Sequence, residues 1–218
     1  MLDVVQWSAL HRSLLHLVLA RGSADGPYDA RVTRAPDAID PAVGWRVWDV
    51  VPLDGSYRLC SLAFWTIWLP RRAATAACRR VLVDRSWSRL PDHEAPGREC
   101  TCGIYATQTP RQVLDYAKQF RPRSDTAHRV VGRVSLWGTV IECTGGWRAS
   151  LAYPSTIFVP TARARRRSVT GRLPAPRRPV EEIALELGVY GVPVEIVDCS
   201  TRAELVGLLE SPVGPEAG

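Results

Sequence analysis

A chain of 218 residues, 46% apolar and 23% charged, can bury a core without staples and is too apolar for wholesale disorder. Its net charge of +6 is compatible with an anionic partner, but Lys118 is the sole lysine, and the Ala, Arg, Val, Pro and Gly usage of a GC-rich genome yields the same balance. No run of about 18–20 apolar residues is present, which excludes a helical membrane span.

Residues 1–20 put Trp7, Leu10, Leu14, Leu17 and Val18 on one face at helical spacing, which predicts an amphipathic helix. Leu10 to Ala20 is the one candidate for targeting, but Asp3 stands where a signal peptide carries positive charge, and His11, Arg12 and His16 interrupt the run. The chain therefore reads as cytoplasmic. There its six cysteines stay reduced, and Cys clustered with His suits metal or chemistry better than disulfides. Residues 21–42 carry Gly, Pro and Asp without periodicity and are expected as a linker. Residues 1–42 are thus a candidate dispensable extension, and the compact domain is expected to begin near Val43.

From Val43 to Leu69 aromatic and β-branched residues surround the turn signal Asp54-Gly55, which predicts two or three short strands. Arg71 to Val83 is helix-like early and strand-like late, and a polar loop with Pro91 and Pro96 follows. Thr109 as N-cap and Pro110 at the first helical position open a helix through Phe120, with Val113, Leu114 and Ala117 on its apolar face. Residues 129–142 alternate as one strand, kinked or bulged at Gly132 and Gly138. Thr144-Gly145-Gly146 turns it into a returning strand, so residues 43–160 are expected as a β-rich core domain.

Residues 161–179 join a basic run to three prolines and are expected as a tether. Residues 180–218 are expected as an αβα element and a frayed tail: a short helix to Leu187 that begins at Pro179-Val180-Glu181-Glu182, a buried-type strand in VPVEIVD, and a helix through Leu209 opened by a Thr201/Glu204 capping box. The predicted fold class is α+β: a small antiparallel β-sheet or barrel domain with a metal-stabilised loop and a C-terminal αβα element.

The strongest chemical signal is Cys78, His93, Cys100 and Cys102, spaced C-x14-H-x6-C-x-C. Zinc takes four tetrahedral S/N ligands, so three thiolates and one neutral imidazole complete a closed, structural shell. The loop between Ser88 and Glu99 has little apolar content beyond Leu90 and Ala95, and a metal would order it. Two other expectations use the same residues. Cys78 and Cys102 can be small core side chains, or Cys100 or Cys102 can be a nucleophile activated by His93.

Trp45, Trp48, Trp65, Trp68, Trp137 and Trp147 fall on predicted strands. They can stack bases, but packing is the commoner use of tryptophan, and Trp45/Trp48 and Trp65/Trp68 straddle both strand faces. Arg163, Arg165, Arg166 and Arg167 are the densest positive segment and the candidate nucleic-acid contact. Glu142, Arg148 and Tyr153 are expected as a pocket lining or as ion-paired sheet edges. No P-loop, G-x-G-x-x-G, H-E-x-x-H or G-x-S-x-G motif occurs.

The segments Gly44-Trp45-Arg46-Val47-Trp48, Cys100-Thr101-Cys102-Gly103-Ile104-Tyr105-Ala106, Gly132 to Gly138 (GRVSLWG), Trp147-Arg148-Ala149 and Ala152-Tyr153-Pro154 resemble an uncharacterised family of proteins from high-GC Gram-positive bacteria. The resemblance covers about residues 43–160, implies one domain across them, and supplies no activity. The expected function is that of a non-enzymatic binding or regulatory protein with a structural zinc ion and a protein or nucleic-acid partner. The alternative is a cysteine-dependent enzyme or zinc hydrolase built on the same cluster.

Overall fold

The computed structural model describes residues 32–34 by their backbone and residues 41–78, 93–161 and 179–211 in full. The helix expected over residues 1–20, Arg163, Arg165, Arg166 and Arg167 of the tether, and the C-terminal tail lie outside the described residues.

The strands are β1 Val32–Arg34, β2 Ala42–Leu53, β3 Ser56–Ser61, β4 Ile67–Trp68, β5 Ala74–Thr75, β6 Ile104–Thr107, β7 His128–Cys143, β8 Gly146–Pro160 and β9 Val194–Val197. The helices are α1 Pro110–Ala117, α2 Val180–Leu187 and α3 Arg202–Glu210, with a 3-10 turn at Gly188–Tyr190. All nine strands join one mostly antiparallel sheet, so the chain is α+β. No helix among the described residues is long and apolar enough to cross a membrane.

Local signals explain the framework. Asp54 and Gly55 both take positive φ, 49° and 78°, and Leu53 pairs with Ser56 across them; this is the left-handed two-residue turn whose twist matches the strands it joins. Thr109 caps α1 as expected. Its hydroxyl accepts from the Gln112 amide while the Gln112 side chain accepts from the Thr109 amide, a reciprocal capping box.

The sheet closes on itself. β2 pairs with β7, β7 with β8, β8 with β6 and β6 again with β2, where Trp45 faces Arg133 on one side and Thr107 on the other. β7 and β8, at 16 and 15 residues, are long enough to serve several partners each, with register shifts after Arg133 and Trp137 that bend the hairpin round. Arg46 fills the fork where the neighbour of β2 changes from β3 to β6. Its guanidinium donates to the Tyr105 carbonyl and to Ser61 Oγ and lies 5.0 Å from the centre of the Trp68 ring; burial pulls its pKa down to about 10.

Helices cover both faces. One face buries Trp48, Val130 and Leu136 against Ile183 and Leu187 of α2. The other buries Trp45, Val47 and Val131 against Val113 and Ala117 of α1 and Leu205 of α3. Trp45 and Trp48 therefore pack into opposite cores, as their strand spacing predicts. Arg129 ties β7 to β2 and α1: it forms a two-pronged pair with Asp49, at 2.7 and 3.2 Å, and donates to the Ala117 and Phe120 carbonyls at the end of α1.

The C-terminal element docks through polar insertions as well as apolar contacts. The Tyr190 hydroxyl accepts from the Leu59 amide at 2.9 Å and donates to the Trp68 carbonyl at 2.6 Å, entering the ladder between β3 and β4. Glu186 accepts from the Tyr57 amide at 2.7 Å. Tyr190→Phe removes one hydroxyl and leaves a buried donor and acceptor unpaired, so it is expected to destabilise the protein by about 1–3 kcal/mol in urea unfolding. Burial pushes the Tyr190 phenol up to about 12. A phenol raised in the folded state contributes stability that is full below about pH 10 and lost as pH climbs toward about 12; the Tyr190→Phe variant should lose this part of the alkaline decline.

Four expectations are corrected. Val32–Arg34, inside the expected linker, pairs with Thr139–Ile141 of β7, so the sheet begins before Val43; backbone pairing, which needs no apolar periodicity, holds it. The strand at Val194–Val197 is half-buried at its two ends and exposed at Glu195 and Ile196, and it runs parallel to β8, because it sits at an edge reached through α2. Trp65 lies in the turn between β3 and β4, not on a strand, and stays exposed with Arg123 over its ring. The box at Thr201 is only half made: its hydroxyl accepts from the Glu204 amide, but the Glu204 carboxylate reaches Ser200 instead.

Candidate metal centre

β8 brings the cysteines together. β5 pairs with β8 at Ala152 and Leu151, and its exit is fixed by the Ala76 amide donating to the Ser150 carbonyl. β6 then takes up the same edge at Ala149. The chain leaves β8 two residues before Cys78 and rejoins it two residues after Cys102. Everything between is an excursion whose two ends must meet over Ser150.

At that meeting point the ligand atoms of Cys78, His93, Cys100 and Cys102 all lie within 4.8 Å of one another. The Cys78 and Cys100 sulfurs are 3.6 Å apart, and His93 Nε2 is 3.3 Å from the Cys102 sulfur. All three cysteines are free, and 3.6 Å is far beyond the bonded S–S length of about 2.0 Å. Four donors from three chain segments thus converge, and the group can hold a metal ion. The expectation that Cys78 and Cys102 are core residues fails, since both are only half-buried.

The surroundings favour sulfur as a ligand. The Gly97 amide donates to the Cys102 sulfur at 3.2 Å, a bond that stabilises thiolate charge. Loss of water, followed by hydrogen bonding to Cys100 and Cys102, pushes the Cys78 thiol up to about 12.

Two glycines give the loop its shape. A methyl group at Gly97 would sit 2.5 Å from Cδ2 and 2.8 Å from Nε2 of His93, so only glycine lets the imidazole lie across the loop. Gly103 takes φ of +126°, with Pro96 and Arg148 both 3.0 Å from the place of its missing side chain; this turns the chain from Cys102 into β6. Gly97→Ala is expected to displace His93 and weaken metal binding about tenfold or more, measured by chelator competition, while β-sheet circular dichroism stays unchanged.

Arg148 is the functional residue that sequence reasoning misplaced. It does not meet Glu142 and Tyr153: Glu142 is exposed, and Tyr153 bonds Arg71 and Tyr190. Arg148, on β8 opposite Tyr105, is buried at 6% exposure. One guanidinium nitrogen donates to the Cys100 carbonyl and, at 3.1 Å, to the Cys102 carbonyl; the other reaches the Arg98 carbonyl at 3.4 Å. The Tyr105 hydroxyl holds the same loop through the Thr101 carbonyl at 2.6 Å. The local sequence carried no signal for this role beyond the alternation that sets Arg148 on one face of β8.

No protein-family model matches the chain, and neither curated proteins nor solved structures give a match.

Proposed function

We propose that this protein is a non-enzymatic binding or regulatory protein in which Cys78, His93, Cys100 and Cys102 hold a structural zinc ion. The observation that carries the proposal is the convergence of four donors within 4.8 Å of one another. Zinc with Zn–S of about 2.3 Å and Zn–N of about 2.0 Å has tetrahedral edges of about 3.8 Å between sulfurs and about 3.6 Å between sulfur and nitrogen. The 3.6 and 3.3 Å separations come close to both. Three thiolates and one imidazole suit zinc ahead of the hard cations, which prefer oxygen. A shell filled by four protein ligands leaves no position for a reacting water, which favours a structural ion over a hydrolytic one.

The partner is proposed from charge alone. Arg163, Arg165, Arg166 and Arg167, beside a chain of net charge +6, suit the phosphates of a nucleic acid, and the resemblance to a high-GC Gram-positive family is retained on the same footing, from sequence segments only. Elemental analysis of the full chain purified without chelator tests the metal: about one zinc per chain is expected, lost in Cys100→Ser. A metal-free protein with one unusually reactive thiol would overturn the zinc assignment in favour of cysteine chemistry.

A further inference from the structure

A buried guanidinium needs an offset for its lost hydration, either a negative charge or, as for Arg46 over Trp68, an aromatic face. Arg129 satisfies that need with Asp49. Arg148 is as well buried as Asp49, yet among the described residues no carboxylate pairs with it. Its acceptors are the neutral carbonyls of Arg98, Cys100 and Cys102. The nearby Tyr105 offers no charge either, since burial drives its phenol well above the ordinary value near 10. Carbonyl dipoles fill the donor positions of Arg148 but do not supply a counter-charge.

Among the described residues, the groups that could bring charge to the carbonyls Arg148 holds are the metal ligands themselves. Three thiolates around a divalent ion leave one net negative charge, and two of those thiolates belong to the residues whose carbonyls Arg148 holds. We propose that Arg148 is the counter-ion of the metal centre: a positioning residue that binds the anionic tris-thiolate metal unit and lacks a counter-charge when the site is empty. This rests on the zinc proposal above and goes further, since it gives the site a charge requirement. A ligand set that bound the ion without net negative charge would not suit this β8.

A second consequence separates the counter-ion from a plain bracket. If Arg148 only fastened carbonyls, removing it would weaken the loop equally with and without metal. As a counter-ion it is favourable in the loaded protein and unfavourable in the empty one, so its removal must act with opposite sign in the two states.

The test uses the full chain, as wild type, Arg148→Met and Arg148→Lys, with zinc affinity measured by chelator competition and thermal unfolding followed with and without zinc. Arg148→Met is expected to weaken zinc binding about 10- to 100-fold, to lower the midpoint of the zinc-loaded form, and to leave the metal-free midpoint equal to or above wild type. Its cobalt complex should keep the wild-type ligand-to-metal and d–d bands, since the four ligands are unchanged. Arg148→Lys, which keeps the charge but not the planar fork, should retain most of the affinity. Arg148→Met with wild-type zinc affinity, or an equal loss of stability with and without metal, would overturn the inference. If Arg148→Met does not fold, Arg148→Lys decides alone: a loss of affinity beyond tenfold would mean that the fork, not the charge, matters. A wild-type chain that takes up no zinc would overturn the zinc proposal itself, whereas a zinc-binding wild type with an indifferent Arg148→Met would sink only this step.

Discussion

Asp49→Ala is expected to lower the unfolding free energy by about 3–5 kcal/mol, the cost of leaving a buried cation unpaired. Asp49 and Arg129 are 6% and 14% exposed at their side chains and joined through both carboxylate oxygens, so water cannot take over the role of the missing partner. The effect is larger than a lost pair because Arg129 also holds the last carbonyls of α1. Freed from Asp49, the guanidinium will seek solvent and unseat the helix end whose Val113 and Ala117 cover Trp45, Val47 and Val131. Urea unfolding followed by tryptophan fluorescence measures the loss. A cost below 1 kcal/mol would mean that the pair is solvated in practice. Natural domains are stable by about 5–15 kcal/mol, so a loss near the upper figure removes a large share of the total.

Removal of the proposed zinc ion is the second large effect. A ligand that binds only the folded state stabilises it by about 4 kcal/mol when its free concentration is a thousand times its dissociation constant. Treatment with a strong chelator is therefore expected to lower the unfolding free energy by about that amount, and zinc, but not magnesium, to restore it. The loss should be local before it is global. Cys100 and Cys102 precede β6, which completes the ring between β8 and β2, so amide exchange should rise first at residues 93–107 and least at Val130 and Val131 in the middle of β7. Uniform exchange, or no response to chelator, would count against a metal in the loop.

What the sequence disclosed, and what it withheld, follows from the range of each interaction. Asp54-Gly55, Thr109-Pro110 and Thr144-Gly145-Gly146 are legible because a turn or a cap is decided within four residues. The four candidate ligands are legible because few side chains bind a soft divalent ion, so their identity points to the chemistry even when their spacing is unusual. Arg148 is not legible, since its role depends on β8 lying beside β6, some forty residues away in the chain. The strand at Val32–Arg34, and the exposure and parallel pairing of the expected strand at Val194–Val197, escape for another reason. Both sit at sheet edges, where backbone pairing suffices and side chains need not alternate.

The use of one strand, β8, as the shared partner of β5, β6, β7 and β9 also sets a schedule. Cys78 leaves the ribosome roughly 80 residues ahead of the end of β8. At about 5–20 residues per second, that is roughly 4–16 s during which Cys78, and for slightly less time Cys100 and Cys102, have no strand to gather them. Until then Cys78 stands apart from the Cys100 and Cys102 pair, all three thiols are open to whatever oxidant or stray metal the surroundings hold, and the arrival of β8 brings the two groups together.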